Sequence, residues 1–228
     1  VGMNSNLLLL TADKAKQMRD AGLRSILTSL TSSSAELHDE IVNCRGAFKK
    51  TVAAIQIARQ FGISVGVNMV VTQKNARFIR DTAEYVKKLG VSMFAATPAA
   101  QPGNCANFSA LGLTLSEVQA VFSELALVEQ ELGLAVDVLN AFPLCGLVNA
   151  PKVPVRLLNR RCTAGTMSAT IGTDGSLRPC PHYDELFGNV LTEGLQIAWQ
   201  RMSVINEATL FPTECKGCPT AKVCFGGV

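Results

Sequence analysis

The chain has 228 residues, 48% of them apolar, enough to bury a real core as one large or two modest domains. Its 21 Lys and Arg nearly balance its 18 Asp and Glu, and no basic run stands out, so no nucleic acid or anionic membrane surface is expected as a partner. The apolar stretches are too short to span a bilayer, and residues 7–10 lack the basic flank and cleavage site of a signal peptide, which makes the cytoplasm the expected location.

The first part of the chain repeats one plan: a helix pattern, a Gly that stops it, and a short apolar run. Thr11 is placed to cap a helix carrying Ala15, Met18 and Ala21, which Gly22 ends before the run 23–30. Phe48, Val52, Ile55 and Arg59 fall at helical spacing, Gly62 stops that helix, and 63–71 reads as a strand. Asn75 is the expected cap of a third helix with Phe78, Thr82, Val86 and Leu89 on one face, ended by Gly90 before the strand 91–97. A capping box at Thr114 and Glu117 opens a fourth helix with Val118, Val121, Phe122, Leu125 and Val128, and Gly133 separates it from the run 134–139.

Helices alternating with apolar strands predict an α/β fold with parallel pairing, and ligands are then handled at the carboxyl ends of the strands. Those ends are the loops 29–34, 72–75 and 98–107, whose Ser and Asn residues fit turn and capping chemistry as well as binding. The texture changes past Asn140, where Pro143, Pro151 and Pro154 mark an irregular connector. The turn 173–176, with Asp174-Gly175 between two short runs, predicts a β-hairpin, and one short helix follows around 193–202 with Leu195 and Trp199. The resulting division is 1–140, a connector 141–161, and a small domain 162–228. So little apolar content in the last segment calls for a metal centre.

Five cysteines crowd that segment: Cys162, Cys180, Cys215, Cys218 and Cys224. Cys215-Lys-Gly-Cys218 sets two thiols on one tight turn, Cys224 offers a third, and Cys162 and Cys180 flank the hairpin. Such soft ligands suit zinc or iron–sulfur clusters, and spacing alone leaves both open, with His182 available as a nitrogen ligand to zinc. Cys44 and Cys105 have no partner at ligand spacing, and Cys145 is either a further ligand or a small buried apolar residue.

Cys162-x12-Gly175-x4-Cys180, then Gly188-Asn189, Trp199 and Cys215-x2-Cys218-x5-Cys224, resembles the SPASM domain that follows radical-SAM barrels. Upstream, Met3-Asn4-Ser5, Ser29-Leu30, His38-Asp39, Gly46-Ala47-Phe48, the run 67–71 and Thr97-Pro98 resemble the second half of such a barrel. The resemblance implies a partial radical-SAM (β/α) barrel with a Cys-rich domain, auxiliary [4Fe–4S] clusters and S-adenosyl-L-methionine as cofactors. It implies an oxidoreductase that modifies a peptide or protein through the 5′-deoxyadenosyl radical, served by an electron donor such as ferredoxin or flavodoxin. Ser29 matches a position that contacts S-adenosylmethionine, and Asn68 lies on a strand bordering it.

In the family pattern Cys162 and Cys180 serve one auxiliary cluster and Cys215, Cys218 and Cys224 a second. The first also uses the fourth Cys of C-x2-C-x5-C-x3-C, a position that is Val228 here, with Cys145 the candidate replacement, and the second is completed by a further Cys expected downstream. The catalytic C-x3-C-x2-C is absent, so the chain is expected to be a fragment, inactive alone, of an enzyme whose first barrel half lies elsewhere. The Arg that often follows His-Asp is replaced by Val42, with Arg45 the nearest cation, and His38 is expected to order its loop rather than transfer protons. The rival reading is a zinc-stabilised α/β binding module without redox activity.

Overall fold

A computed structural model describes residues 1–100, 108–147, 157, 162–206 and 213–224. They fall in two compact units, one of residues 1–100, 108–139 and 157, the other of 140–147, 162–206 and 213–224.

The first unit runs β1 (Gly2–Asn4), α1 (Ala12–Asp20), β2 (Ser25–Ser29), α2 (Ala35–Ile41), α3 (Ala47–Gln60), β3 (Ser64–Val71), α4 (Ile79–Lys88), β4 (Met93–Pro98), α5 (Leu115–Leu132) and β5 (Val136–Asp137). Its five strands are all parallel and pair in the order β1-β2-β3-β4-β5. Strand order that follows chain order never reverses, so the unit lacks the switch point of a doubly wound sheet and winds in one direction, as a (β/α) barrel does.

The caps explain where the helices start and stop. The Thr11 hydroxyl accepts from the Lys14 N–H, and Thr114 and Glu117 form the full capping box that their spacing predicts. Asn75 does not act as a helix cap. A short 3-10 turn (Ala76–Phe78) intervenes before α4, whose buried face is Ile79, Thr82, Ala83 and Val86. Within the loop expected at 29–34, Ser34 instead caps α2 by accepting from Leu37 N–H at 3.3 Å. α3 has no cap of its own. The Asp39 carboxylate reaches over from α2 to accept from Gly46 N–H at 2.5 Å and Phe48 N–H at 2.8 Å, placing negative charge at the helix N-terminus. β5 is two residues long, shorter than the run 134–139 suggests.

The two faces of the sheet differ in composition. Ile26, Thr28, Val65, Val67, Met69, Phe94, Ala96 and Val136 are all buried, and alternation puts them on one face. Ala54, Ile55 and Ala58 of α3 and Val121, Phe122 and Leu125 of α5 are buried as well, forming the apolar layer of this unit. A fully buried Phe such as Phe94 contributes about 3 kcal/mol in removed apolar area.

The second unit holds the antiparallel hairpin β6 (Thr170–Ile171) and β7 (Leu177–Arg178), α6 (Leu195–Arg201) and the one-turn α7 (Ala221–Cys224). Its core is small: Leu177, Phe187, Ala198 and Met202, with Ala169, Tyr183, Val190, Trp199 and Ile205 packed around them. Gly175 takes the positive φ of +83° that the hairpin turn requires. Asn189 then locks the turn, donating from Nδ2 to Asp174 O at 2.8 Å, while Val190 N–H donates to Gly175 O at 2.9 Å. No helix among the described residues is long and apolar enough to cross a membrane.

Candidate functional site

The second face of the parallel sheet carries the residues expected at the cofactor. Ser29, Asn68, Ala95 and Asp137 are in register across β2 to β5, so they form one row of side chains on one face. Asn4, Leu27, Gly66 and Met93 form the row below them, and Val70 pairs with Thr97 above. Ser29 is exposed and Asn68 half-buried. Asn68 is oriented through its side-chain carbonyl, which accepts from the Thr97 hydroxyl at 2.8 Å, while Thr97 Oγ1 in turn accepts from Leu139 N–H at 3.1 Å. That chain leaves the Asn68 amide nitrogen free to act as a donor, beside the Ser29 hydroxyl, on a face that also carries Leu27, Met93 and Val70. Asp137 sits in the same row and was not read from the sequence. Its signal there was a lone carboxylate inside the apolar run 134–139.

The loops at this end of the strands are tied by Asn75, which is fully buried. Its side-chain oxygen accepts from Thr72 N–H at 2.8 Å, and its amide donates to Thr31 O and Val70 O, both at 2.9 Å. His38 is also structural. Its ring, 2% exposed, accepts the Thr31 N–H at Nδ1 over 3.1 Å, and burial holds its pKa below the ordinary value despite the opposing charge of Asp39. A neutral imidazole is therefore built into the loop after β2, as expected of a loop-ordering residue. Val42 and Arg45 are both exposed and Arg45 supplies no ion pair to this loop among the described residues. A cavity of about 510 Å³ lies elsewhere, between α4 and α5, lined by Arg77, Arg80, Asp81, Glu117 and Glu124, and contains none of the expected site residues.

In the second unit, the 3-10 turn Thr213–Cys215 leads into Lys216-Gly217, where a φ of +81° at Gly217 lets the chain double back and Cys218 N–H donate to Cys215 O at 3.1 Å. This is the tight turn expected between the two thiols. Partial burial first, then the thiolates of Cys218, Cys224 and Cys145 and the Glu214 carboxylate, raise the Cys215 thiol above its ordinary value. Cys218 is shifted the other way, chiefly by its contact with the Thr220 hydroxyl at 3.2 Å and by the backbone N–H groups of Thr220 and Ala221. Cys224 is buried, and its sulfur accepts from Leu144 N–H at 3.4 Å.

Cys162 and Cys180 are half-buried free thiols, and no described contact joins them to one another or to the other three. Cys44 is exposed in the first unit, and Cys105 lies outside the described residues, as do Pro151, Pro154 and Val228. Among the described residues no three His, Cys, Asp or Glu side chains stand close enough to hold a metal ion as placed. The donor chemistry of Cys215, Cys218 and Cys224 fits an iron–sulfur cluster. Thiolates are the ligands such clusters take, and a backbone N–H already points at Cys224.

Comparison with known proteins supports the same reading. The SPASM family model, an iron–sulfur cluster-binding domain, matches residues 162–219. The chain is 23% identical over 238 residues to an AdoMet-dependent heme synthase of Oleidesulfovibrio alaskensis, covering 98% of this chain and 61% of that protein. It is 25% identical over 243 residues to a PqqA peptide cyclase of Methylocella silvestris, covering 100% of this chain and 62% of that protein. The crystal structure of Streptococcus suis SuiB bound to S-adenosylmethionine superposes with a TM-score of 0.77 at 13% identity, covering all of this chain and 55% of that one. The chain thus spans about three fifths of the length of these relatives, and the structural likeness establishes the fold. Residues 162–219 match the model of the SPASM iron–sulfur cluster-binding domain, and over nearly its whole length the chain is similar to an AdoMet-dependent heme synthase and a PqqA peptide cyclase.

Proposed function

We propose that this chain is the part of a radical SAM/SPASM oxidoreductase that borders S-adenosylmethionine and holds auxiliary [4Fe–4S] clusters, and that the enzyme matures a peptide or protein. The observation that carries the reading is the row Ser29, Asn68, Ala95 and Asp137 on the face of the sheet opposite the buried apolar one. Bound S-adenosylmethionine supplies the radical chemistry of such enzymes. On this chain, the Ser29 hydroxyl and the Asn68 amide, held by Thr97, are the groups that position it. The 228 residues contain no C-x3-C-x2-C, so the chain is not expected to cleave S-adenosylmethionine by itself. Cys162 and Cys180 serve one auxiliary cluster and Cys215, Cys218 and Cys224 another. An electron donor of the ferredoxin or flavodoxin type completes the proposal, and the division 1–140, 141–161 and 162–228 is its domain plan.

Equilibrium binding of S-adenosylmethionine to the full chain tests the cofactor face. Ser29→Ala and Asn68→Ala should each weaken binding by about tenfold, the worth of one hydrogen bond of about 1.4 kcal/mol. Unchanged affinity in both variants would remove these residues from the site. Anaerobic reconstitution separates the iron–sulfur reading from the zinc module. A colourless protein with one tightly held zinc would sink it.

A second reading takes its substrate from the heme synthases among the relatives, which are matched over 98% and 99% of this chain. A tetrapyrrole would then occupy the place of the peptide. Titration with a tetrapyrrole, followed by its visible absorbance, against titration with a labelled precursor peptide, followed by anisotropy, decides between the two.

A further inference from the structure

One hydrogen-bond chain on the second face of the sheet runs in a single direction. The pairing of β5 with β4 ends at Asp137, and two residues later Leu139 N–H donates to the Thr97 hydroxyl at 3.1 Å rather than to a backbone carbonyl. The Thr97 hydroxyl in turn meets Asn68 Oδ1 at 2.8 Å. Thr97 is in register with Val70, so its contact with Asn68 is the diagonal one between two strands on the same face. A backbone N–H only donates, whereas a hydroxyl carries one hydrogen and two lone pairs. With Leu139 N–H on one lone pair, the Thr97 hydrogen is the group left for Asn68, and the atom that receives it is the side-chain oxygen. Were the amide reversed, the hydroxyl would accept twice. Its own hydrogen, on a residue 4% exposed, would then have no acceptor among the described residues.

We propose that Thr97 is a positioning residue that sets the polarity of the cofactor face: it turns the Asn68 amide so that Nδ2 is presented to the ligand, and S-adenosylmethionine therefore meets Asn68 with a hydrogen-bond acceptor. The inference rests on the reading of this face given above. An Asn side chain is by itself indifferent, since either end of its amide can face a ligand. The chain from Leu139 removes that choice, and the ordering is in place before the ligand arrives rather than being part of the cost of binding. The ring nitrogens, ribose oxygens and carboxylate of S-adenosylmethionine are acceptors of the required kind, while its sulfonium and ammonium groups are not. The orientation of one amide thus excludes the cationic groups of the cofactor from this position, and Thr97 does so through Asn68.

Equilibrium binding of S-adenosylmethionine to the full chain, arranged as a double-mutant cycle, tests the inference. Thr97→Val keeps the shape and removes the hydroxyl, and should weaken binding about fivefold, while Thr97→Ser should stay within about twofold of wild type. In the Asn68→Ala background Thr97→Val should change affinity by less than about twofold, because the two residues act as one. Asn68→Asp keeps the acceptor for Thr97 but offers the ligand an acceptor in place of a donor, and should bind more weakly than Asn68→Ala. That arm leaves the Thr97 hydroxyl intact, so it decides the polarity even where the Val variant does not fold. Amide hydrogen exchange gives a readout without ligand: Leu139 N–H should exchange at least about tenfold faster in Thr97→Val and at nearly the wild-type rate in Thr97→Ser. An equal loss from Thr97→Val in both backgrounds, an unchanged Leu139, or Asn68→Asp binding as tightly as wild type overturns the inference and leaves the reading of the face standing. If Asn68→Ala binds S-adenosylmethionine as the unmutated chain does, or neither binds it, that reading fails and the inference with it.

Discussion

Replacing Asn75 should unfasten the two strand-end loops that frame the proposed cofactor face. Asn75 is fully buried and makes one bond to Thr72 N–H, one to the Thr72 hydroxyl and two from its amide to the carbonyls of Thr31 and Val70. Each such bond contributes roughly 1 kcal/mol net, and each buried partner left unpaired costs about 1–3 kcal/mol. With Thr31 and Thr72 themselves buried, water cannot easily replace the lost partner, so Asn75→Ala should cost about 3–5 kcal/mol. Asn75→Asp is the sharper perturbation, because it keeps the shape and the acceptor for Thr72. It also sets a carboxylate oxygen against two carbonyls that now receive an amide at 2.9 Å. It should therefore be at least as damaging as Ala at neutral pH and recover part of the loss on acidification, when the protonated acid regains one donor. Urea unfolding of the full chain measures both. An Asp variant within about 1 kcal/mol of wild type at neutral pH would refute the assignment of Asn75 as the tie between the loops.

Three further outcomes follow from the same contacts. Asp39 is held below its ordinary value of 3.8, chiefly by the Phe48 N–H, so its contribution is present above that pH and is lost as pH falls through the folded-state value. Asp39→Asn should flatten this part of the acid-unfolding curve. His38 is lowered from 6.5 mainly by burial, so the unfolded chain takes up its proton first and stability declines as pH falls below 6.5. His38→Phe should abolish that decline, at a cost of about 1–3 kcal/mol for the orphaned Thr31 N–H, both read from unfolding free energies across pH 5–7. At Gly175 an added Cβ would meet Leu191 Cγ at 2.6 Å and Asn189 Oδ1 at 2.7 Å, at a φ of +83°. Gly175→Ala should cost roughly 2–4 kcal/mol, and a melting profile of the second unit identical to wild type would refute the role of this turn.

The sequence was most legible where the information is local. Gly22, Gly62, Gly90 and Gly133 end helices because a positive φ there is decided within one turn, and the Thr114 and Glu117 box needs only its own four residues. The helix α2 was missed because Ser32, Ser33 and Ser34 read as loop, although Ser34 with Glu36 is a cap. Asn75 looked like a cap for the same local reason, yet its partners are Thr31 in the loop after β2 and Val70 in β3. Nothing periodic in the chain records that choice. The spacing of Cys215, Cys218 and Cys224 was visible for the opposite reason, since the whole set spans one turn and one short helix. The sequence offers Cys145 to the cluster of Cys162 and Cys180, and nothing local records that the adjacent Leu144 N–H meets Cys224, 80 positions away.

The sheet itself explains why a binding face can be read from a fold that is otherwise generic. Parallel strands covered on both faces are ordinarily near-continuous runs of Val, Ile and Leu. Here β3 reads Ser64, Val65, Gly66, Val67, Asn68, Met69, Val70, Val71, with Val65, Val67, Met69 and Val71 buried and Gly66 and Asn68 on the other face. Register carries the same division across the neighbours, so that Ser29 falls beside Asn68 and Asp137 lies in the same row beyond Ala95. Filling that face with branched apolar residues would strengthen the unit by the area each would bury. A sheet that sets Gly66, Ser29, Asn68, Thr97 and Asp137 among Leu27, Val70, Met93 and Ala95 gives up part of that stability, and the Thr97 hydroxyl fixing Asn68 adds a specific orientation that packing alone does not require. If this face borders S-adenosylmethionine as proposed, the affinity of Asn68→Ala for it measures why polar residues are kept there.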